Sequence, residues 1–262
     1  MNRKKVGILG CGDLNGIAAK AISEGILKED YVLVGGYSRT FASAQELTSR
    51  YGGKACAAIE ELLELQPDYI LEAANPQAVK DNAEKILRAG VNLVTLSIDG
   101  FADTAFYREM QKLAKENGVK IHIPSGAISG LDLLRTTSLM SDVKVQIRNI
   151  TGPQMLAPSG AFDEKLRFDT RCEVFNGTAK EAIEKLPCRV NVAIATSLAS
   201  AGPEETRSVI ESLPGMVGDI QEITVKGEEI EAKLSVYSRT AAIAGWSVVA
   251  LLQNLASPVE FF

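Results

Sequence analysis

The sequence predicts an α/β protein: a doubly wound parallel sheet plus a smaller α+β unit. Three observations predict it. Through the first 124 residues, short apolar runs alternate with helical patterns at a spacing of roughly 20 to 30 residues, as successive βαβ units do. The first apolar run, residues 6–9, ends in the glycine-rich turn GCGDLNG (10–16). Further on the pattern changes, and VKVQIRNI (143–150) alternates apolar and polar residues as a half-buried antiparallel strand does.

In chain order, the spacing predicts strands over residues 6–9, 31–37, 68–72, 91–96 and 119–123. Helices fall between and after them, over 14–26, 41–51, 60–65, 77–89 and 104–116. Pro76 opens the fourth helix and Gly90 closes it, the expected placement of the two residues. Right-handed crossovers then wind the sheet on both faces. In the second unit strands are expected over 143–150, 220–225 and 231–237, with helices at 179–185 and around 192–198, and one sheet face solvated or at an interface. Residues 152–168 form the only long irregular stretch, and loops of that length are usually functional or mobile. The last helix, 240–255, contains AAIAGWSVVALL and is expected to be buried on most sides.

The chain has 262 residues, 46% of them hydrophobic and 23% charged, enough apolar material for a sizeable core. A net charge of −5 argues against a nucleic-acid or anionic-membrane partner. No apolar run is long enough for a membrane span, and MNRKKVGILG reads as a strand and not a signal peptide. Cys11, Cys56, Cys172 and Cys188 are scattered, and His122 is the single histidine. Neither a zinc site nor a disulfide framework is expected, so a reducing, cytoplasmic setting fits best.

The turn at Gly10 and Gly12 lets backbone approach a pyrophosphate, while the helix opening at Asp13, Leu14 and Asn15 offers free N–H groups. That makes the first unit Rossmann-like. Asn15 stands where the third glycine of the dinucleotide motif belongs, with Gly16 one step on to share its packing role. After the second strand come Ser38, Arg39 and Thr40, with no acid for a ribose hydroxyl. A guanidinium and two hydroxyls suit a 2′-phosphate, which favours NADP over NAD. The plainer alternative is a solvated arginine with Ser38 or Thr40 capping a helix. PSGAISGLD (124–132) implies close backbone approach, to a ligand or to a neighbouring domain. His122, in KIHIP, reads first as a core or edge histidine, with a catalytic role kept open. Cys11 reads as a packing residue, and Trp246 with Phe261 and Phe262 as core and interface.

PSGAISGLD, LEAANPQAV (71–79), LSIDGFAD (96–103) and NVAIATSLASAG (191–202) together, in this order and spacing, resemble the L-aspartate dehydrogenase family. The resemblance covers nearly the whole chain. It implies hydride transfer between a nicotinamide cofactor and the α-carbon of an amino or imino acid, with ammonia released or taken up, in the family often feeding NAD biosynthesis. It also implies a homodimer. The domains become residues 1–124 with 240–262 for the dinucleotide, and 125–239 for substrate and dimerisation. Cofactor contacts fall on Gly10, Gly12, Asp13, Leu14 and Asn15, on Ala74 and Asn75, on Ala127, and on Asn191.

The family's catalytic histidine opens a His-Glu-Ile strand motif thirty residues after that asparagine, where this chain has Gln221-Glu222-Ile223. An amide hydrogen-bonds but is no general acid or base. Asp219 would share a strand face with Gln221 and could substitute, or contact a cationic substrate; Asp132 and His122 follow as candidates. The family's lysine is missing from NITGP (149–153), and YSRT (237–240) replaces its Asn-Pro-Lys-Thr. Three readings stay open: a different amino or keto acid as substrate, an aspartate dehydrogenase with weakened proton transfer, or a non-catalytic nucleotide-binding paralogue.

Overall fold

The computed structural model describes residues 3–156, 166–186 and 190–261. The chain divides into two units, Met1–Pro124 with Ala244–Phe262, and Ser125–Ile243. Cys188, Phe262 and most of the long irregular stretch lie outside the described residues.

The first unit runs β1 (Lys4–Leu9), α1 (Asp13–Ser23), β2 (Tyr31–Tyr37), α2 (Phe41–Tyr51), β3 (Lys54–Cys56), α3 (Ile59–Glu64), β4 (Tyr69–Glu72) and α4 (Pro76–Arg88). It continues with β5 (Asn92–Thr95), a 3-10 turn (Ile98–Phe101), α5 (Thr104–Glu116) and β6 (Ile121–His122). The six strands are parallel, in the order β3-β2-β1-β4-β5-β6. The chain leaves β1 toward one edge and returns on its other side at β4. The strand order therefore reverses between β1 and β4, and ligands of such sheets bind in the crevice outside the strand ends at that point.

Local chemistry sets the helix ends. Asn75 Oδ1 accepts from the Ala78 N–H at 3.0 Å and Pro76 takes the first helical position of α4. The Asp103 carboxylate accepts from the N–H groups of Ala105 and Phe106 to start α5. Val6 and Ile8 of β1, Leu71 and Val94 pack against Ala18, Ala19 and Ile22 of α1 in one core. The small residues on α1 let the helix lie close to the sheet.

The second unit holds α6 (Leu131–Met140), β7 (Lys144–Thr151), α7 (Pro153–Leu156), β8 (Cys172–Thr178), α8 (Ala179–Lys185), α9 (Asn191–Leu198), β9 (Arg207–Ser212), β10 (Asp219–Lys226) and β11 (Glu231–Ser238). Its sheet has the order β11-β10-β7-β9-β8, with β7 and β9 parallel and the other pairs antiparallel. One face carries Ile147, Ile223 and Val225, all buried. The other carries Arg148, which pairs with Glu211 at 3.4 Å and Glu222 at 3.8 Å.

The last helix, α10 (Ala242–Ala256), departs from the expectation of burial on most sides. Only Gly245, Val248, Val249 and Leu252 are buried, and Trp246 is 56% exposed, so it is no core residue. The helix docks by one stripe. A Cβ at Gly245 would stand 2.8 Å from Leu14 O and from Ile17 Cδ1, so glycine sets how closely α10 meets α1. Tyr31 Oη donates to Leu252 O at 2.8 Å and ties the helix to β2. Tyr31→Phe is expected to lose about 1 kcal/mol and to lower the thermal midpoint by about 3 °C, read by calorimetry.

Candidate active site

The glycine turn is built for close approach. Gly10 has φ +91°, and a Cβ there would lie 2.8 Å from Ala73 O and from Ala74 Cβ. Gly12, the residue before α1, has open space where a Cβ would point. Helix α1 has no side-chain cap, so its first N–H groups are left for a ligand. Asp13 and Leu14 occupy its first turn, and the Asp13 carboxylate is exposed. A cleft of about 370 Å³ opens beside the turn, lined by Cys11, Gly12, Lys20, Ser43 and Arg50 among others. Burial pushes the Cys11 thiol up to about 11, which leaves it unreactive, as a packing residue should be.

Asn15 does more than replace a glycine. It is 1% exposed, and its Nδ2 donates to Gly10 O at 2.8 Å and to Leu9 O and Leu71 O at 3.2 Å each. One amide thus joins the end of β1, the turn and β4. Gly16 takes no part of the packing load, since nothing lies within 4 Å of where its Cβ would be. The close approach is made from the other side, by Gly245.

At the ends of β4 and β5 stands a group the sequence analysis missed. Glu72 is 1% exposed. Its carboxylate accepts from Thr95 Oγ1 at 2.5 Å, Ser97 Oγ at 2.8 Å, Ala74 N at 2.7 Å and Ser97 N at 3.2 Å. Burial pushes it above the usual carboxylate range, and these four bonds oppose that rise. Glu72 therefore fixes the strand-end loops that carry Ala74 and Ser97. An acid inside the apolar run DYILE was the available signal, since such strands are apolar on both faces.

In the second unit, Gln221 lies on the buried face, 5% exposed, opposite Asn149 of β7. Asp219 pairs with Thr151, which in turn pairs with Ser212 of β9. Paired residues share a sheet face, so Asp219, Gln221, Thr151 and Ser212 form one polar group. Thr151 and Ser212 are fully buried. Gln221 Oε1, Asp219 Oδ1, Thr151 Oγ1 and Ser212 Oγ each have no hydrogen-bond partner, although buried polar groups are normally paired. Thr151 and Ser212 were not singled out from the sequence. Their signal was a polar residue at an inward position of an alternating strand.

The remaining candidates are placed as follows. Ser38, Arg39 and Thr40 follow β2; Arg39 and Thr40 are exposed, and Arg39 lies in no ion pair among the described residues. Thr40 precedes α2 without a side-chain cap bond. Ala74 and Asn75 are exposed at the β4 end. Ala127 is half-buried ahead of α6, Asp132 is exposed in the first turn of α6, and Asn191 is exposed at the start of α9. His122 sits beside the Tyr69 ring at 6.0 Å, and burial, then the nearby Lys120 charge, hold its imidazole below the usual range. Among the described residues no cluster of histidine, cysteine and acidic residues could hold a metal, and no helix is long and apolar enough to cross a membrane.

Two outcomes follow from this geometry. Asn15→Ala leaves the three carbonyls without the amide and is expected to lose about 2 kcal/mol in denaturant unfolding. Burial pushes Asp99 up to about 6, with the Glu72 charge adding to the rise. A folded value above the unfolded one of about 4 means that stability from this group is full below pH 4 and is lost as pH rises through 6. The melting-temperature advantage of the wild type over Asp99→Asn should shrink across that window.

Sequence relatives and solved structures agree with this architecture. The family model described as "Aspartate dehydrogenase, C-terminal" matches residues 132–255, and "Homoserine dehydrogenase, NAD binding domain" matches residues 10–124. L-aspartate dehydrogenase of Methanococcus maripaludis strain C6 is 33% identical, with 98% of each chain covered. That of Methanocaldococcus jannaschii is 30% identical over 98% of each. The crystal structure of aspartate dehydrogenase from Thermotoga maritima shares the fold, with TM-score 0.79, 24% identity and full coverage of both chains. So does a hyperthermophilic archaeal homoserine dehydrogenase in complex with NADPH, with TM-score 0.62, 16% identity and coverage of 99% of this chain and 100% of that one. The chain is a nicotinamide-dependent oxidoreductase that belongs to the L-aspartate dehydrogenase family.

Proposed function

We propose that the chain transfers hydride between a nicotinamide and the α-carbon of an amino or imino acid, with ammonia released or taken up. The observation that carries this reading is the set of unpartnered polar atoms around Gln221, at the position of the family's catalytic residue. The dinucleotide fits the first unit, because the Gly10 cradle would be filled by any Cβ and α1 opens uncapped beneath it. The nicotinamide supplies the hydride chemistry when bound.

The chain's own residues do the rest. Gly10 and Gly12 admit the pyrophosphate, the N–H groups of Asp13, Leu14 and Asn15 hold it, and the Asn15 side chain keeps the turn in shape. Arg39, with Ser38 and Thr40, takes a 2′-phosphate, so NADP is preferred to NAD. Ala74, Asn75, Ala127 and Asn191 complete the cofactor contacts. Asn75 contributes by its backbone or Nδ2, since its Oδ1 is committed to capping α4. Gln221 orients the substrate by hydrogen bonds, while Asp219, the ionisable group beside it, moves the proton. His122 is the other ionisable candidate, beside the Tyr69 ring, with burial and then the Lys120 charge holding its imidazole below the usual range. The working form is a cytoplasmic homodimer, to which the exposed Trp246 of α10 offers an apolar contact.

The test is oxidation of NADPH and of NADH with 2-oxo acids and excess ammonium, with cofactor fluorescence followed in the same sample. NADPH should bind more tightly. Arg39→Ala should weaken NADPH by about 10-fold or more and leave NADH unchanged. Gln221→His should raise turnover by about 10²-fold and add a neutral-pH limb to the rate profile. Failure of both cofactors to bind overturns the reading.

A further inference from the structure

We infer that this site takes an amino acid whose side chain ends in a cation, a diamino monocarboxylate, in preference to the dicarboxylate aspartate, and that Asp219, Thr151 and Ser212 determine that choice. The inference rests on the reading of the Gln221 face as the amino-acid pocket.

The three residues occupy one level of three neighbouring strands. Asp219 of β10 pairs with Thr151 of β7, and Thr151 pairs with Ser212 of β9. Gln221 is two residues along β10 on the same face, about 7 Å away at the rise of a strand. Gln221 thus marks one end of the group and the Asp219 level the other. At that level three oxygens lack partners: Asp219 Oδ1, Thr151 Oγ1 and Ser212 Oγ. An ammonium carries three donors and no acceptor, which matches three such oxygens.

Charge decides the sign of the partner. The inward positions of β7 are Val145, Ile147, Asn149 and Thr151, and those of β9 are Ser208, Ile210 and Ser212. On β10 they are Asp219, Gln221, Ile223 and Val225, and on β11 Ala232, Leu234, Val236 and Ser238. On β8 Cys172 pairs with Ser212 and Phe175 with Ile210, and the nearest cation given for that strand, Lys185 of α8, stands over the Phe175 ring at 5.6 Å. None of these inward strand positions is a lysine or arginine, and their one carboxylate is that of Asp219. A substrate carboxylate set at that level would meet a like charge with no cation on these strands to offset it. A substrate ammonium would meet a carboxylate and two hydroxyls.

The experiment measures binding of 2,4-diaminobutyrate, ornithine and aspartate by calorimetry to the full chain saturated with NADPH, which cannot accept hydride and so permits no turnover. The diamino acids should bind at least about 10-fold more tightly than aspartate. Asp219→Asn should erase that difference with NADPH affinity unchanged, and Thr151→Val, close to isosteric, should reduce it several-fold and covers the case that Asp219→Asn does not fold. Equal or tighter binding of aspartate to the wild type overturns this inference and leaves the dehydrogenase reading standing. So does a preference that survives Asp219→Asn. Absence of any amino-acid binding overturns both. Asp219-dependent binding of a diamino acid, with no hydride transfer when NADP⁺ replaces NADPH, supports this inference and overturns the dehydrogenase reading.

Discussion

The cofactor half of the molecule depends on the side-chain amide of Asn15. A glycine-rich turn gains its access by having no side chains, and so it has little with which to hold itself in place. In this chain the support comes from within α1, where one Nδ2 faces the carbonyls of Leu9, Gly10 and Leu71. Those carbonyls lie at the ends of the two strands between which the sheet order reverses. The residue that departs from the glycine motif thus joins the parts that the motif requires to be in register. The glycine needed for close helix packing has moved to α10, where Gly245 meets α1.

Glu72 and the group around Gln221 treat buried polarity in opposite ways. Glu72 is surrounded by four donors and is complete without a ligand. A buried carboxylate so satisfied stiffens what it touches, and it touches both loops at the β4 and β5 ends. Around Gln221 the oxygens are left open. Each open group costs the fold desolvation energy that no internal bond returns. A saturated network fits a scaffold, and an unsaturated one fits a place where something else supplies the partners.

Much of the first unit was legible because its signals are local. Phe41–Tyr51 and Thr104–Glu116 carry helical spacing between clear stops, and Tyr31–Tyr37 is an apolar run closed by Ser38 and Arg39. β3 was not legible, since three residues at a sheet edge show no period. β8 was missed because its register shifts between Glu173 and Phe175, which breaks the alternation a reader looks for. β9 was missed because RSVIES has polar ends and a centre buried on consecutive positions. α6 follows a run of small residues and starts after Gly130 at φ +74°, with no capping side chain to announce it. For α10 the composition misled. A helix rich in alanine and valine reads as core, yet it docks by one stripe and leaves Trp246 outside. At the candidate site, Gln221 was singled out through its place in the chain. Its company was not, because Thr151 comes from a strand about 70 residues back and Ser212 from the end of the preceding strand, and only register brings them level with Asp219.

The departures at the second unit's face are easier to understand together than singly. Where the resemblance places a histidine, Gln221 offers no group that can be positive, and the strand face holds a single negative one at Asp219. If the substrate were a dicarboxylate, each change would weaken binding and the two would compound. If the substrate brings its own positive charge, the same changes remove a repulsion and provide a counter-charge. The buried oxygens of Thr151 and Ser212 then have a reason to stay unpaired, because the missing donors arrive with the substrate. On the proposed reading proton transfer falls to Asp219 in either case, since Gln221 has no proton to exchange at ordinary pH. A carboxylate that both holds an ammonium and moves a proton cannot do both in one ionisation state. On that reading the order of binding and protonation is set by that one side chain.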